Sequence, residues 1–504
     1  MSARAPGRPA SFSGTVPPTA GLPLLASDWW PGGGDFEAAL ARFIGVDAVR
    51  LSCSGTAAFV ATLEALKRRS PDRDRVIVPA YTCPLMALAI AHCGLALAVC
   101  DVLPGTLDLD PAHLARLCDA DTLAVVPTHL AGRVTDVATA CRIARAAGAW
   151  VIEDAAQALG ARVGADIDEG ASARTGEGAS AEALREDRRS QAVGLQGDVG
   201  FFSLAVGKGL SIFEGGVLVA RDPALRAEIG ARLDAQGGLG WRDLAWDARR
   251  TVELLGYWAL YRPRALGWAY RRPLRGALAR RDWIAAAGDD FDPPIPLHPV
   301  GAWRRSVGAR ALERLPGFLQ TTEDQARRRM SQLAAIPGLT LIRDSADAVG
   351  ARGTWPVLLA LMPTARARDA LLNAHWGDGS GLGVPFVHAL PDYARYAKVV
   401  PSMAAKEIPH ARDLAARVIS ISNSLWLDDA RFEQVLATIV AAISADAQSG
   451  GPATPTTPAT LATQATPATQ AAPATQAAPA VPAAGAMPAG PVTAGGTAPS
   501  GSAG

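Results

Sequence analysis

The sequence predicts an α/β fold with a largely parallel sheet covered on both faces. Two observations carry this. Between residues 48 and 157, short apolar runs alternate with segments of helical spacing. Those runs are apolar throughout, as strands buried on both faces must be. A third observation bears on function. Thr56, His129, Asp154 and Gln157 all fall at or just after the ends of such runs, and ligands of parallel sheets bind at the carboxyl ends of strands.

The elements follow in order. Asp35–Phe43 has helical apolar spacing, and Ala48–Ser52 reads as a short strand. Cys53-Ser-Gly-Thr56 is a turn into a helix over Ala57–Leu66. A strand, a small-residue turn and a helix start can hold an anion on free N–H groups, with the Thr56 hydroxyl added. The same residues also suit an ordinary capped helix. Arg75–Val78, Leu95–Val102, Leu123–Pro127 and Trp150–Glu153 are the next strands. Helices over Leu85–Cys93, Asp110–Leu117 and Asp136–Ala147 separate them. Asp154 is either a helix N-cap or the anionic partner of a protonated ring nitrogen. His129 is either a satisfied structural histidine or part of the same cleft. Residues 162–194 lose the periodicity and read as a surface insertion.

Residues 198–216 (DVGFFSLAVGKGLSIFEGG) present one lysine between two apolar runs. Val199–Val206 reads as a buried strand carrying Ser203. It ends at Gly207-Lys208-Gly209, where glycines free the backbone to turn. A lysine in that position can be desolvated, which lowers its pKa and makes it a nucleophile toward carbonyls. A solvated loop lysine has the same local sequence. A phosphate loop is excluded: Phe202 stands where its first glycine is needed, and Gly209 where Ser or Thr is needed.

At 504 residues the chain has room for two or three domains, and its net charge of +1 argues against a nucleic-acid surface. Six cysteines form no C-x-x-C pair and lie mostly in apolar runs, as buried thiols of a reducing compartment do. No secretory leader and no bilayer-length apolar run is visible, so a soluble, cytoplasmic protein is expected. No metal-ligating set stands out. Residues 1–33 read as a loose arm.

The stretch from about Phe36 to Arg221 resembles the DegT/DnrJ/EryC1/StrS family of pyridoxal-phosphate-dependent sugar aminotransferases. The residues carrying the resemblance are SGTAA (Ser54–Ala58), IVPAYT (Ile77–Thr82), PTHLAG (Pro127–Gly132), VIEDAAQALGA (Val151–Ala161), GDVGFFSLAVGK (Gly197–Lys208) and EGG (Glu214–Gly216). Their order and spacing make it specific. The resemblance implies a fold-type-I transferase: a large domain over 34–238, a smaller C-terminal α/β domain over 301–445, and a homodimer. It implies that Lys208 carries pyridoxal 5′-phosphate and that Asp154 faces the pyridine nitrogen. Gln157 would lie by the phenolic oxygen, with Gly55, Thr56, Ala57 and Ser203 on the phosphate. It further implies transfer of an amino group from an amino acid, glutamate being the usual donor, to a nucleotide-linked keto sugar for polysaccharide or glycoside synthesis. A dehydratase-like reaction on the same scaffold and a non-catalytic regulatory relative are the alternatives; a sister group with histidine at the lysine position dehydrates, and Lys208 argues against that branch. Tyr81, His129 and His388 are the substrate-site candidates. Cys83 departs from the family, which stacks an aromatic ring on the cofactor there.

Residues 239–300 are an insert unlike the family. Five tryptophans (Trp241, Trp246, Trp258, Trp268, Trp283) stand among arginines over 239–285. That mixture suits helices packed over the cleft with snorkelling arginines, or a peripheral membrane contact. From about residue 446 to 504 the chain is Ala/Pro/Thr-rich, without charged side chains beyond Ala447, and is expected to be disordered.

Overall fold

The computed structural model describes residues 14–164, 190–235, 240–291, 295–404 and 406–449. Among the described residues, nine strands precede the insert. They are β1 Arg50–Ser52, β2 Arg75–Pro79, β3 Ala96–Cys100, β4 Thr122–Val125, β5 Trp150–Asp154, β6 Arg162–Gly164, β7 Ser190–Ala192, β8 Val199–Ser203 and β9 Gly216–Ala220. Seven of them form one sheet in the order β1-β9-β8-β5-β4-β2-β3. The β3-β2-β4-β5-β8 run is parallel, and β9 lies antiparallel between β8 and β1. Val76, Ile77, Val78, Leu123, Val151 and Ile152 are fully buried, which is why these strands carry no polar alternation.

Helices α1 Phe36–Ile44, α2 Gly55–Arg69, α3 Pro84–His92, α4 Pro111–Leu117 and α5 Val137–Ala146 connect and cover the sheet. The N-caps are legible in the sequence: Asp35, Ser54, Asp110 and Asp136 each accept a backbone N–H of the following turn. β8 stops at Ser203, short of the expected Val206. The Ser203 hydroxyl accepts from Ala205 N (3.3 Å), which turns the chain early.

After α6 Pro223–Ala235 comes the insert, with α7 Trp241–Leu260, α8 Arg272–Ala279 and α9 Trp283–Ala287. A second sheet follows, antiparallel throughout, from β10 Thr340–Ile342, β11 Val357–Leu361, β12 Leu382–Gly383 and β13 Val418–Ser422 in the order β10-β11-β13-β12. The long helices α10 Ala302–Leu312 and α11 Leu315–Ala334 lead into it, and α12 Ala365–His375, α13 Pro409–Arg417 and α14 Asp429–Gln448 complete it.

Two expectations need correction. Residues 14–33 are no loose arm. Val16, Ala20, Leu22 and Leu24 are buried, and the segment bonds successively to Pro263, Gly379, Pro356 and Gly209. It ties the insert, the second sheet and the Lys208 turn together. The last helix also runs on to Gln448, held by Asp446 against Thr364 (2.8 Å). The surface insertion expected over 162–194 is seen only at its ends, where β6 and β7 pair antiparallel. Its middle, residues 1–13 and the tail from 450 lie outside the described residues.

Candidate active site

The parallel strands end together at a cavity of about 360 Å³. Lys208 enters it from the turn after β8. Gly207 adopts φ +83°, a conformation that glycine takes without strain. Burial lowers the Lys208 pKa, although Cys83 and Asp154 nearby oppose the shift. No protein group among the described residues bonds its ammonium, so only the nearby Cys83 and Asp154 offset its desolvation.

Asp154 stands at the end of β5, 5% exposed, and lines the same cavity. Its Oδ1 accepts from Ala156 N (3.0 Å), and its second oxygen has no partner among the described residues. Burial raises its pKa, against the Ala156 N–H and the Lys208 charge. A buried carboxylate with an open oxygen needs a donor, and a protonated ring nitrogen is one.

The anion cradle lies at the start of α2. Ser54 caps the helix by accepting from Ala57 N (3.0 Å), and Ser52 donates to the Ser54 carbonyl (2.7 Å). Gly55 and Thr56 line the cavity with Ser203, and first-turn N–H groups have no helical acceptor. Ala57 does not line it. Its N–H is spent on Ser54, so of the three expected helix-start residues only Gly55 and Thr56 reach the cavity wall.

Gln157 lines the cavity, its Oε1 fixed by Ala131 N at 2.6 Å, which leaves its amide N–H₂ to donate. His129 also lines it, but both ring nitrogens are engaged. Thr135 N donates to Nδ1 (3.2 Å), so Nε2 carries the proton and donates to Glu153 (3.0 Å). Glu153 in turn accepts from Gly194, Gln196 and Gly197. His129 therefore offers the cavity a fixed ring face rather than an acid or a base.

Tyr81 and His388 do not line the cavity. The Tyr81 hydroxyl donates to Phe386 O (2.8 Å) and accepts from Phe386 N (3.2 Å), clamping a distant loop. A hydroxyl at a strand end reads as a ligand until its long-range partner is known. His388 packs edge-on against Tyr393, 5.2 Å between centroids. Cys83 is on the cavity wall, its thiol pushed up to about 12 by burial. No aromatic ring replaces it from Tyr81.

Several wall residues carry no local sequence signal. Pro17, Pro18 and Thr19 come from the N-terminal segment, and Tyr257, Tyr261, Tyr270 and Asp289 from the insert. The Tyr257 hydroxyl faces Tyr261, and the Thr82 hydroxyl is buried without a partner among the described residues. Arg250 lines the wall but is held by Glu214 and Glu253. The insert thus covers the cleft with one face. Its other face exposes Trp241, Leu244, Val252 and Leu255.

The chain is an α/β protein whose seven-stranded, mostly parallel sheet carries a half-buried lysine and a buried aspartate with an open oxygen at its strand ends. The structure of the aminotransferase TlmJ from Streptoalloteichus hindustanus has the same fold, with a TM-score of 0.58 and 22% identity over 82% of this chain and 90% of that one. Residues 23–249 match the model of the DegT/DnrJ/EryC1/StrS aminotransferase family. GDP-perosamine synthase of Caulobacter vibrioides is 30% identical over 39% of this chain and 45% of its own. L-glutamine:2-deoxy-scyllo-inosose aminotransferase of Micromonospora echinospora is 33% identical over 44% and 47%. The chain spans about a third to a half of the length of such curated relatives. No helix among the described residues is long and apolar enough to cross a membrane.

Proposed function

We propose that this chain is a pyridoxal-phosphate-dependent aminotransferase that moves an amino group from an amino acid to the ring ketone of a keto sugar or related cyclic polyol. The observation that carries this is the pairing, in one cavity, of a half-buried Lys208, unbonded among the described residues, with the open oxygen of Asp154. The relatives support the substrate class, since their names cover a GDP-linked sugar and an unlinked cyclitol. A nucleotide-linked substrate for polysaccharide or glycoside synthesis is the form first considered. Glutamate is the expected donor, with glutamine the donor in one relative's name.

The residues present fit the cofactor. Gly55, Thr56 and Ser203 would hold its phosphate, Gln157 would orient its ring through a donated N–H, and Asp154 would hold a proton on its ring nitrogen. Bound there, the cofactor supplies an electron-accepting ring that stabilises negative charge beside the transferred nitrogen. Lys208 Nζ, its amine favoured by burial, takes the α-proton of the amino donor and later returns a proton to the aminated carbon. Residues 17–19 and the insert keep water from both steps.

Spectroscopy tests the reading. The purified protein should show the visible absorption of a lysine-bound cofactor and lose it on addition of glutamate or glutamine. Lys208→Ala should show neither. A wild type with no cofactor band after incubation with pyridoxal phosphate would end the proposal.

A homodimer in a reducing, cytoplasmic compartment completes the reading. It is supported by six free thiols and by the apolar stripe on α7. Peripheral membrane contact is the other use that stripe allows. Light scattering and liposome flotation separate the two.

A further inference from the structure

We propose that Asp289 forms a subsite for a hydrogen-bond donor on the carbonyl substrate, a ring hydroxyl or ammonium, and so selects hydroxylated ring ketones over bare ones. This rests on the reading above and adds the residue that sorts among its substrates.

Asp289 follows α9 at the end of the insert. It is 2% exposed and lines the cavity that holds Lys208. Its two oxygens have different tasks. Oδ2 accepts from Val387 N at 3.0 Å and from the Tyr393 hydroxyl at 2.5 Å. Its own backbone carbonyl accepts from the Tyr396 hydroxyl (2.5 Å). Two bonds thereby fix the carboxylate and a third fixes its backbone. Oδ1 has no partner among the described residues. No cation compensates the charge, and burial dominates its electrostatics.

Its position follows from its neighbours. Cys83 feels the charges of Lys208, Asp154 and Asp289. Asp289, Cys83, Asp154 and Lys208 all line the same cavity. The same cavity is lined by the apolar side chains of Phe291, Trp376, Val384, Pro385 and Phe386. One rigid acceptor in an apolar wall is the arrangement that fixes a ligand's orientation. A site built to hydrogen-bond a hydroxyl rejects the analogue lacking it, because its own polar group is then left unpaired.

The test is calorimetric titration of wild type and Asp289→Asn, with and without cofactor, by 2-deoxy-scyllo-inosose and by cyclohexanone. Asparagine keeps an oxygen for Val387 and Tyr393 and puts an N–H₂ where Oδ1 stands. Wild type should prefer the hydroxylated ketone. The variant should lose about 10-fold in affinity for it, with its affinity for cyclohexanone changed less than about 2-fold. Equal losses for both ketones would make Asp289 structural and overturn the proposal. So would unchanged binding of the hydroxylated ketone, or a wild type that binds both alike. If the wild type shows no spectral response to amino donors, the aminotransferase reading fails. The titrations of cofactor-free protein still decide the role of Asp289.

Discussion

The Thr19 hydroxyl donates to the Gly207 carbonyl at 2.7 Å, so the N-terminal segment holds the peptide immediately before Lys208. Three residues on, Leu22 N donates to Gly209 O (2.9 Å), on the other side of the lysine. The turn that presents the amine is thus bracketed by a segment nearly two hundred residues away. Thr19→Val removes the first bond while keeping the shape. Its stability cost should be about 1 kcal/mol, read by chemical denaturation. Cofactor affinity should fall several-fold. Unchanged affinity would show that Leu22 alone fixes the turn.

Lys208 gives a pH prediction in the cofactor-free protein. Burial lowers its pKa, so the folded state binds its proton less readily than the unfolded state does. Stability on this account rises with pH toward the lysine's ordinary value and is lost as pH falls through the lowered one. Lys208→Met removes the ammonium and its desolvation cost. The variant should be more stable than wild type at neutral pH, and the gap should close as pH is raised toward 10. Thermal unfolding across that range checks it. A gap independent of pH would show that the ammonium is solvated.

The part of the site that the sequence announces is the part built from local turns. Lys208 follows a strand and sits between glycines. Asp154 ends another, and Ser54 caps α2 within three residues of Ala57. Each is a short-range pattern with its own physical reason. The remainder depends on pairings across long stretches of chain. Tyr81 reaches Phe386, Asp289 reaches Tyr393, and Thr19 reaches Gly207. No periodicity encodes them, so Tyr81 read as a ligand and residues 14–33 read as an arm. The insert was legible only as composition. That its tyrosines turn inward while Trp241 and Val252 turn outward depends on where α7 docks.

Gly216 tests how tightly the cradle is built. A Cβ there would stand 2.3 Å from the Ser54 carbonyl oxygen and 2.4 Å from the Ser52 hydroxyl. The former is backbone of the residue that caps α2, and it cannot give way without moving the helix start. Gly216→Ala should cost roughly 3 kcal/mol. Cofactor affinity should fall more than it does in a control of equal stability loss placed in the second sheet. Equal falls in affinity would mean that β9 shifts without disturbing Gly55 and Thr56.

Asp289 makes the protein's stability fall as pH rises through the weakly acidic range. Burial pushes its pKa up to about 6 from 3.8, against the donated bonds from Tyr393 and Val387. The folded state therefore holds this proton where the unfolded state has released it. The contribution is fully present below the ordinary carboxylate value and is lost as pH rises through about 6. The displacement is worth at most about 3 kcal/mol. Asp289→Asn cannot ionise, so the stability of the variant relative to wild type should climb by up to that amount between pH 4 and pH 7. Denaturant titrations at several pH values measure it. A difference that stays flat would place the Asp289 carboxylate in water. A donor group bound at Oδ1 favours the charged form, so a hydroxylated ketone should shrink the climb and cyclohexanone should leave it unchanged.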